Sequence, residues 1–169
     1  MLPWKPIVIL FLLFPSQTPD IHYVPTSSGV ADAMLRLAGV TSTDTVYDLG
    51  SGDGRIVIAA ARKYGARGVG IEIDPKLIAT ARKNAESAGV ADRVTFREED
   101  LFKADFSEAT VVTLYLSETI NRRIRGILQR QLQPGSRIVS HRFTMGDWAP
   151  QAQERHEGTT IYLWTIPPR

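Results

Sequence analysis

Cysteine is absent from the 169 residues, and histidine occurs only three times, at His22, His141 and His156. Without cysteine the chain has neither a disulfide framework nor a cysteine-ligated metal. The three histidines also lack the spacing of a zinc-binding helix. We therefore expect no bound metal.

The chain also lacks a large excess of charge of one sign: it has 20 lysines and arginines and 18 acidic residues, which gives a net charge of +2. This small basic excess does not indicate a nucleic-acid partner by itself. Hydrophobic residues make up 43% and charged residues 22% of the chain, which are ordinary globular proportions. With no internal repeat, this length predicts one compact domain.

The longest apolar run, IVILFLLF, begins at Ile7 and ends at Phe14. As a helix it would cover about 12 Å, too short for a hydrocarbon core of about 30 Å. It resembles the apolar part of a signal peptide, although an Ala-x-Ala cleavage pattern is missing. We predict a signal-like or membrane-attachment segment over residues 1–18 and one domain over 19–169. The expected location is membrane-associated or exported; a buried core segment in a cytoplasmic protein is the alternative.

From residue 23 onward, short β-type runs alternate with helical stretches. Strands are predicted over residues 45–49, 68–73, 94–97, 111–116 and 137–143, with 160–166 as a closing edge strand. Helices are predicted over residues 28–37 and 55–63, from Pro75 to before Gly89, and from near Ser117 to before Pro134. This alternation predicts an α/β fold with a doubly wound, mostly parallel, Rossmann-like sheet.

The sequence DLGSGDG, residues 48–54, follows the first strand and leads into a helix. Its glycines, Gly50, Gly52 and Gly54, permit backbone angles that side chains forbid, and they let a ligand approach the main chain. A dinucleotide fingerprint would need a third glycine at the position of Arg55. A nicotinamide-dependent oxidoreductase is therefore the weaker alternative.

Acidic side chains follow three successive strands. Asp48 and Asp53 lie in the glycine turn, Glu72 ends the second strand, and Asp100 follows the third. At these positions Glu72 can hold ribose hydroxyls and Asp100 can accept a hydrogen bond from an adenine amino group, because open α/β sheets bind ligands beyond the carboxyl ends of their strands. The acidity suits a ligand with ammonium and sulfonium centres better than a phosphate. Taken singly, Glu72 also fits a solvated loop and Asp100 a helix cap.

The motifs DLGSGDG, GIEID and EEDLF resemble the first three motifs of the class I, seven-strand, S-adenosylmethionine-dependent methyltransferases. The resemblance implies that the glycines approach the methionine and ribose parts and that Asp48 lies near the amino-acid end. Glu72 would take the ribose hydroxyls, while Asp100 and Leu101 would frame the adenine. The predicted cofactor-binding residues are Thr26, Asp48, Gly50, Ser51, Gly52, Asp53, Gly54, Glu72, Ile73, Asp100 and Leu101.

Thr26 belongs to this set because the stretch YVPT, residues 23–26, carries a rigid proline just before the first helix. We interpret the stretch as a segment that closes over the cofactor. An ordinary linker is the alternative.

A narrower resemblance rests on DLGSGDGRIVIAA and on HRF, residues 141–143, leading to Trp148. It is to the small family of mitochondrial lysine methyltransferases that act on the ATP synthase c-subunit and on the adenine nucleotide translocase, with their bacterial relatives. Those enzymes also carry an apolar N-terminal segment. The resemblance implies a protein substrate, including membrane proteins, and methyl transfer to lysine.

Strand four ends in LYLSE, residues 114–118, where this sequence departs from the mitochondrial family. We predict that Tyr115 orients the acceptor amine and that Glu118 helps to remove its proton. The Asn/Asp-Pro-Pro-Tyr/Phe tetrad of nucleobase methyltransferases is absent, and the arginines at 122, 123, 125 and 130 fit the wet face of a helix. Nucleic acid is not the expected acceptor. A small-molecule acceptor, or a scaffold that binds the cofactor without catalysis, remains an alternative.

Overall fold

The computed structural model describes residues 24–169. The signal-like segment and Tyr23 lie outside this range. The elements in chain order are α1 (Ser28–Leu37), β1 (Thr45–Leu49), α2 (Arg55–Tyr64), β2 (Arg67–Glu72), α3 (Pro75–Ser87), β3 (Val94–Glu98), β4 (Val111–Leu114), α4 (Glu118–Gln131), β5 (Arg137–His141), β6 (Ala152–His156) and β7 (Thr159–Thr165). Within the described range, none of the helices has the length and apolar content needed to span a bilayer.

The seven strands form one sheet in the order β3-β2-β1-β4-β5-β7-β6. The first five strands in chain order are parallel, whereas β7 runs antiparallel to both β5 and β6. The strand order reverses between β1 and β4, so a crevice opens beyond their carboxyl ends. The expected doubly wound, mostly parallel sheet is confirmed.

Helix starts follow local side-chain chemistry. The hydroxyls of Ser27 and Ser117 accept hydrogen bonds from backbone amides in the first turns of α1 and α4, and Asp74 does the same for α3. These are the side chains that N-caps favour. In contrast, the N-cap of α2 is Gly54, which provides no side-chain hydrogen bond. The uncapped end of α2 faces the glycine turn.

Apolar side chains cover the two faces of the sheet with different partners. One face packs against α1, α2 and α3, and the other packs mainly against α4 and the loop before β4. Along β4, Val111 faces the α1 side while Val112 and Leu114 face the α4 side. This alternation assigns Thr113 to the α1 side, the same side as its paired neighbour Asp48.

The sequence prediction was wrong about the sheet edge. Residues 160–166 were expected to form it, but β7 lies between β5 and β6, and β6 is the edge strand. The sequence of β6, AQERH, carries almost no apolar residue, and its side chains alternate between half-buried and exposed. Without apolar alternation the strand gave no signal.

Candidate functional site

The glycine turn between β1 and α2 needs its glycines for backbone geometry. Gly50, Gly52 and Gly54 have φ values of +77°, +54° and +80°, a region that disfavours side chains. A Cβ at Gly54 would lie 2.6 Å from the Cζ of Phe96, and one at Gly50 would lie 2.8 Å from a Cδ of Leu116. The turn is thus closely packed as well as left-handed at its three glycines, and five of the predicted residues, 50–54, form it.

Asp48 is a buried acid of the site. It is 4% exposed, and its Oδ1 accepts a hydrogen bond from the hydroxyl of Thr113 at 2.6 Å. Burial, chiefly, and the charges of Glu72 and Asp53 together raise the pKa of Asp48 to about 7, against the lowering effect of that hydrogen bond. A cation beside this carboxyl would favour its ionised form.

Glu72 ties the end of β2 to the glycine turn. Its Oε2 accepts from the amide of Gly52 at 2.9 Å, and its Oε1 accepts from the amides of Ile73 and Asp74 at 2.8 and 3.0 Å. A carboxylate has about four acceptor positions, so capacity remains for a hydroxyl. Glu72 thus lies beside the glycine turn and holds it in place.

Asp53 and Thr26 meet through Arg55. The guanidinium of Arg55 donates to both oxygens of Asp53, at 3.0 and 2.6 Å, and to the backbone carbonyl of Thr26 at 2.7 Å. Thr26 is buried, whereas Val24 is exposed. Thr26, the last residue of the segment that the sequence assigned to cofactor closure, is therefore held against the glycine turn.

Ile73, Asp100 and Leu101 lie on the β2–β3 side of the site. Ile73 is 67% exposed, a large apolar side chain directly after β2. Asp100 accepts a hydrogen bond from the amide of Phe102 at 2.9 Å in a turn, with no helix start there for it to cap, and Leu101 packs partly against the core. Ile73 offers an apolar surface for a ring.

Tyr115 and Glu118 lie just past β4. This strand ends at Leu114, two residues earlier than expected, so Tyr115 belongs to the connection into α4 and Glu118 is the first residue of that helix. Tyr115 is half-buried, and its ring stacks on that of His141 at a centroid distance of 3.9 Å. Glu118 is exposed in the first turn of α4, where a carboxylate also interacts favourably with the helix dipole.

Sequence reasoning missed Thr113 and the contacts of His141. Thr113 is a fully buried polar residue in the middle of an apolar strand, and only its pairing with Asp48 shows why it is polar. His141 is buried at the end of β5, and burial lowers its pKa, as does the charge of Arg142. A hydroxyl inside the apolar run VVTL was the available signal for Thr113.

The arginines of α4 have intramolecular contacts. Arg123 lies over the ring of Phe102 at 4.1 Å, and Arg125 contacts Asp147 and the ring of Trp148. These contacts agree with a solvated helix face whose arginine side chains pack their aliphatic parts against the protein. Among residues 24–169, no group of three or more histidine or acidic side chains could hold a metal ion.

Two relatives match over most of the chain. A protein-lysine N-methyltransferase of Saccharolobus islandicus (strain REY15A) is 40% identical over 156 residues, which cover 89% of this chain and 97% of the relative. An adenine nucleotide translocase lysine N-methyltransferase of Mus musculus is 37% identical over 133 residues, covering 79% of this chain. The match spans only 58% of the mouse protein.

A solved structure is closer still. It is an RNA methyltransferase from Salinibacter ruber in complex with S-adenosyl-L-homocysteine, with 63% identity and a TM-score of 0.85. The match covers 86% of this chain and 95% of that one. The expected class I methyltransferase fold is thereby confirmed. The family model described as the ANTKMT methyltransferase domain matches residues 48–152, and the chain belongs to this methyltransferase family.

Proposed function

We propose that the protein transfers a methyl group from S-adenosylmethionine to the side-chain amine of a protein lysine. When bound, S-adenosylmethionine supplies a methyl group on a positively charged sulfur, which a neutral amine can attack. The observation that carries the proposal is the acidity around the glycine turn. Burial and the nearby charges of Asp53 and Glu72 together raise the pKa of Asp48. The names of the Saccharolobus and mouse relatives support lysine as the acceptor.

The residues of the site fit this cofactor chemically. Asp48 would face the ammonium end of the methionine part, because a cation there offsets the acidic field. Glu72 would bind the ribose hydroxyls with its remaining acceptor capacity. The exposed side chain of Ile73 would cover the adenine. Among the described residues, the buried hydroxyl of Ser51 has no hydrogen-bond partner, so a polar ligand atom at the turn would satisfy it.

Methyl transfer to an amine depends mainly on alignment and on removal of water. The acceptor lysine must also lose its proton before it can attack. Tyr115, which is half-buried beyond β4, would orient the amine, and Glu118, which is exposed at the start of α4, would attract the departing proton. Both assignments follow from position after β4.

RNA is the second candidate acceptor, because the 63% identical neighbour is titled an RNA methyltransferase. The features of this chain favour protein. Its net charge is only +2, and the arginines at 123 and 125 are engaged with neighbouring side chains. A small-molecule acceptor is a third candidate, and a scaffold that binds the cofactor without catalysis is a fourth.

We place the domain, residues 19–169, at a membrane through residues 1–18. The apolar run that begins at Ile7 supports attachment, and a membrane protein would then be the acceptor. Attachment with the domain facing the cytosol also gives access to S-adenosylmethionine, which is made there. Export is the competing location.

The test uses full-length protein and S-adenosylmethionine carrying a labelled methyl group, offered to membrane fractions, soluble protein, RNA and small metabolites in parallel. We expect label in a membrane-protein band and, after hydrolysis, on lysine. Glu72→Gln is the matched control, since it removes the charge that holds the turn and nearly preserves the shape. Label found only in RNA would contradict the proposal and make RNA the acceptor. Cofactor binding without transfer to any macromolecule would favour the small-molecule acceptor or the scaffold.

A further inference from the structure

A strained turn follows β5. Arg142 has a φ of +70° although it is not glycine, and across it the amide of Phe143 donates to the carbonyl of His141 at 2.9 Å. This is the positive-φ form of the γ-turn, which is rare and strained. Such strain persists only where surrounding contacts hold it, and it clusters at functional sites.

Contacts from two elements hold the turn. The amide of Arg142 donates to the carbonyl of Thr160 in β7 at 2.7 Å. The carbonyl of Phe143 accepts from the hydroxyl of Ser140 at 2.7 Å and from the side-chain amide of Asn121 at 3.2 Å. Asn121 belongs to α4 and is fully buried. The conformation of the turn is therefore fixed from both β7 and α4.

The rings on either side of the turn both lie against Tyr115. His141 stacks on it at a centroid distance of 3.9 Å with 30° between the planes, and Phe143 lies at 6.3 Å with 21°. A γ-turn reverses the chain over three residues, which lets both rings reach one tyrosine. The strained turn therefore holds the rings of His141 and Phe143 as a fixed surface against Tyr115.

His141 is also connected to the glycine turn. Its Nδ1 shares a hydrogen bond of 3.3 Å with the hydroxyl of Thr26. The carbonyl of Thr26 accepts from Arg55, and Arg55 pairs with Asp53. A continuous series of contacts thus leads from the turn that would bind the cofactor to the tyrosine that would face the acceptor.

We propose that His141 is a positioning residue, which couples the placement of Thr26 to the orientation of Tyr115 and thereby aligns the acceptor amine. The part of this role that concerns the acceptor amine rests on the methyl transfer proposed above. The coupling between Thr26, His141 and Tyr115 belongs to this chain's own side chains, and it is measurable without an acceptor.

The kinetic test compares Thr26→Val, which removes the hydroxyl, with Thr26→Ser, which keeps it. We expect Thr26→Val to lower kcat about tenfold, because small misplacements of reacting groups cost one to two orders of magnitude. Thr26→Ser should recover most of the kcat that Thr26→Val loses, and Thr26→Val should lower kcat by a larger factor than it lowers the affinity for S-adenosylhomocysteine. His141→Phe, which keeps a ring for stacking, supplies the second arm.

The double variant decides whether the two residues act as one unit. We expect Thr26→Val to cost nothing further once His141→Phe is present. Losses in kcat that multiply would overturn the proposal, as would a Thr26→Val effect confined to cofactor affinity.

Nuclear magnetic resonance supplies a readout that needs no acceptor. The chain has three histidines, and His141→Phe assigns the His141 ring by loss of its signals. We expect Thr26→Val to shift the Nδ1 resonance of His141 and the ring resonances of Tyr115 together, while Thr26→Ser leaves both near their original positions. Unchanged Tyr115 resonances would overturn the coupling. If the natural protein methylates nothing, the proposed function fails and this measurement still decides the inference.

Discussion

Replacement of Asp48 by asparagine tests the electrostatic description of the site most directly. Asp48 is buried and lies near Glu72 and Asp53, so its pKa rises to about 7. Asparagine has nearly the same shape, can accept the hydrogen bond from Thr113, and carries no charge at any pH. Asp48→Asn therefore removes the ionisation and changes little else.

The magnitude follows from the two pKa values. In the unfolded chain Asp48 ionises near 3.8, whereas in the fold it ionises near 7. One pKa unit corresponds to about 1.4 kcal/mol. The folded chain keeps a proton that the unfolded chain has already released. This contribution to stability is thus fully present below about pH 4 and is lost as the pH rises to about 7, roughly 4 kcal/mol in total.

Urea denaturation of both proteins at pH 5, 6 and 7 measures the effect. We expect the free energy of unfolding of Asp48→Asn, relative to that of the natural protein, to rise by about 1 kcal/mol for each unit of increasing pH. A difference that stays constant across this range would refute the raised pKa. The same variant should bind S-adenosylhomocysteine at least about tenfold more weakly, because it lacks the charge that pairs with an ammonium group.

Further substitutions at four positions test the site and its surroundings. Gly54→Ala should lower the free energy of unfolding, measured by thermal denaturation, by about 2 kcal/mol or more, because the added methyl group meets a phenylalanine ring of β3. Gly39→Ala is the control: that position has a similar φ but open space around it, so the loss should be only about 1 kcal/mol. Arg142→Gly should stabilise the fold by up to about 1 kcal/mol relative to Arg142→Ala, because glycine relieves the left-handed strain; equal melting temperatures would contradict the strained turn. Tyr115→Phe and Glu118→Gln should each lower kcat at least about tenfold with little change in melting temperature; full turnover in both would remove these residues from the mechanism.

Much of the fold could be predicted because its signals are local. The predicted helix over residues 28–37 is α1 as observed, and the capped Asp74-Pro75 start gives α3. Where signals were absent, prediction failed. The polar strand β6 was missed, and β5 ends two residues earlier than predicted because the chain turns at Arg142. Arginine gives no sequence signal for a left-handed backbone.

The sequence alone determined the family, the class of fold and the acids at the carboxyl ends of the parallel strands. The spacing of glycines and carboxylates along one chain encodes these features, because strand order places them at one edge. Only the tertiary structure decided that Thr113 bonds Asp48, that burial raises the pKa of that carboxyl, and that Thr26 meets His141 across 115 residues. Those contacts join side chains from distant segments, and their energies depend on burial and distance, which exist only after the chain has folded.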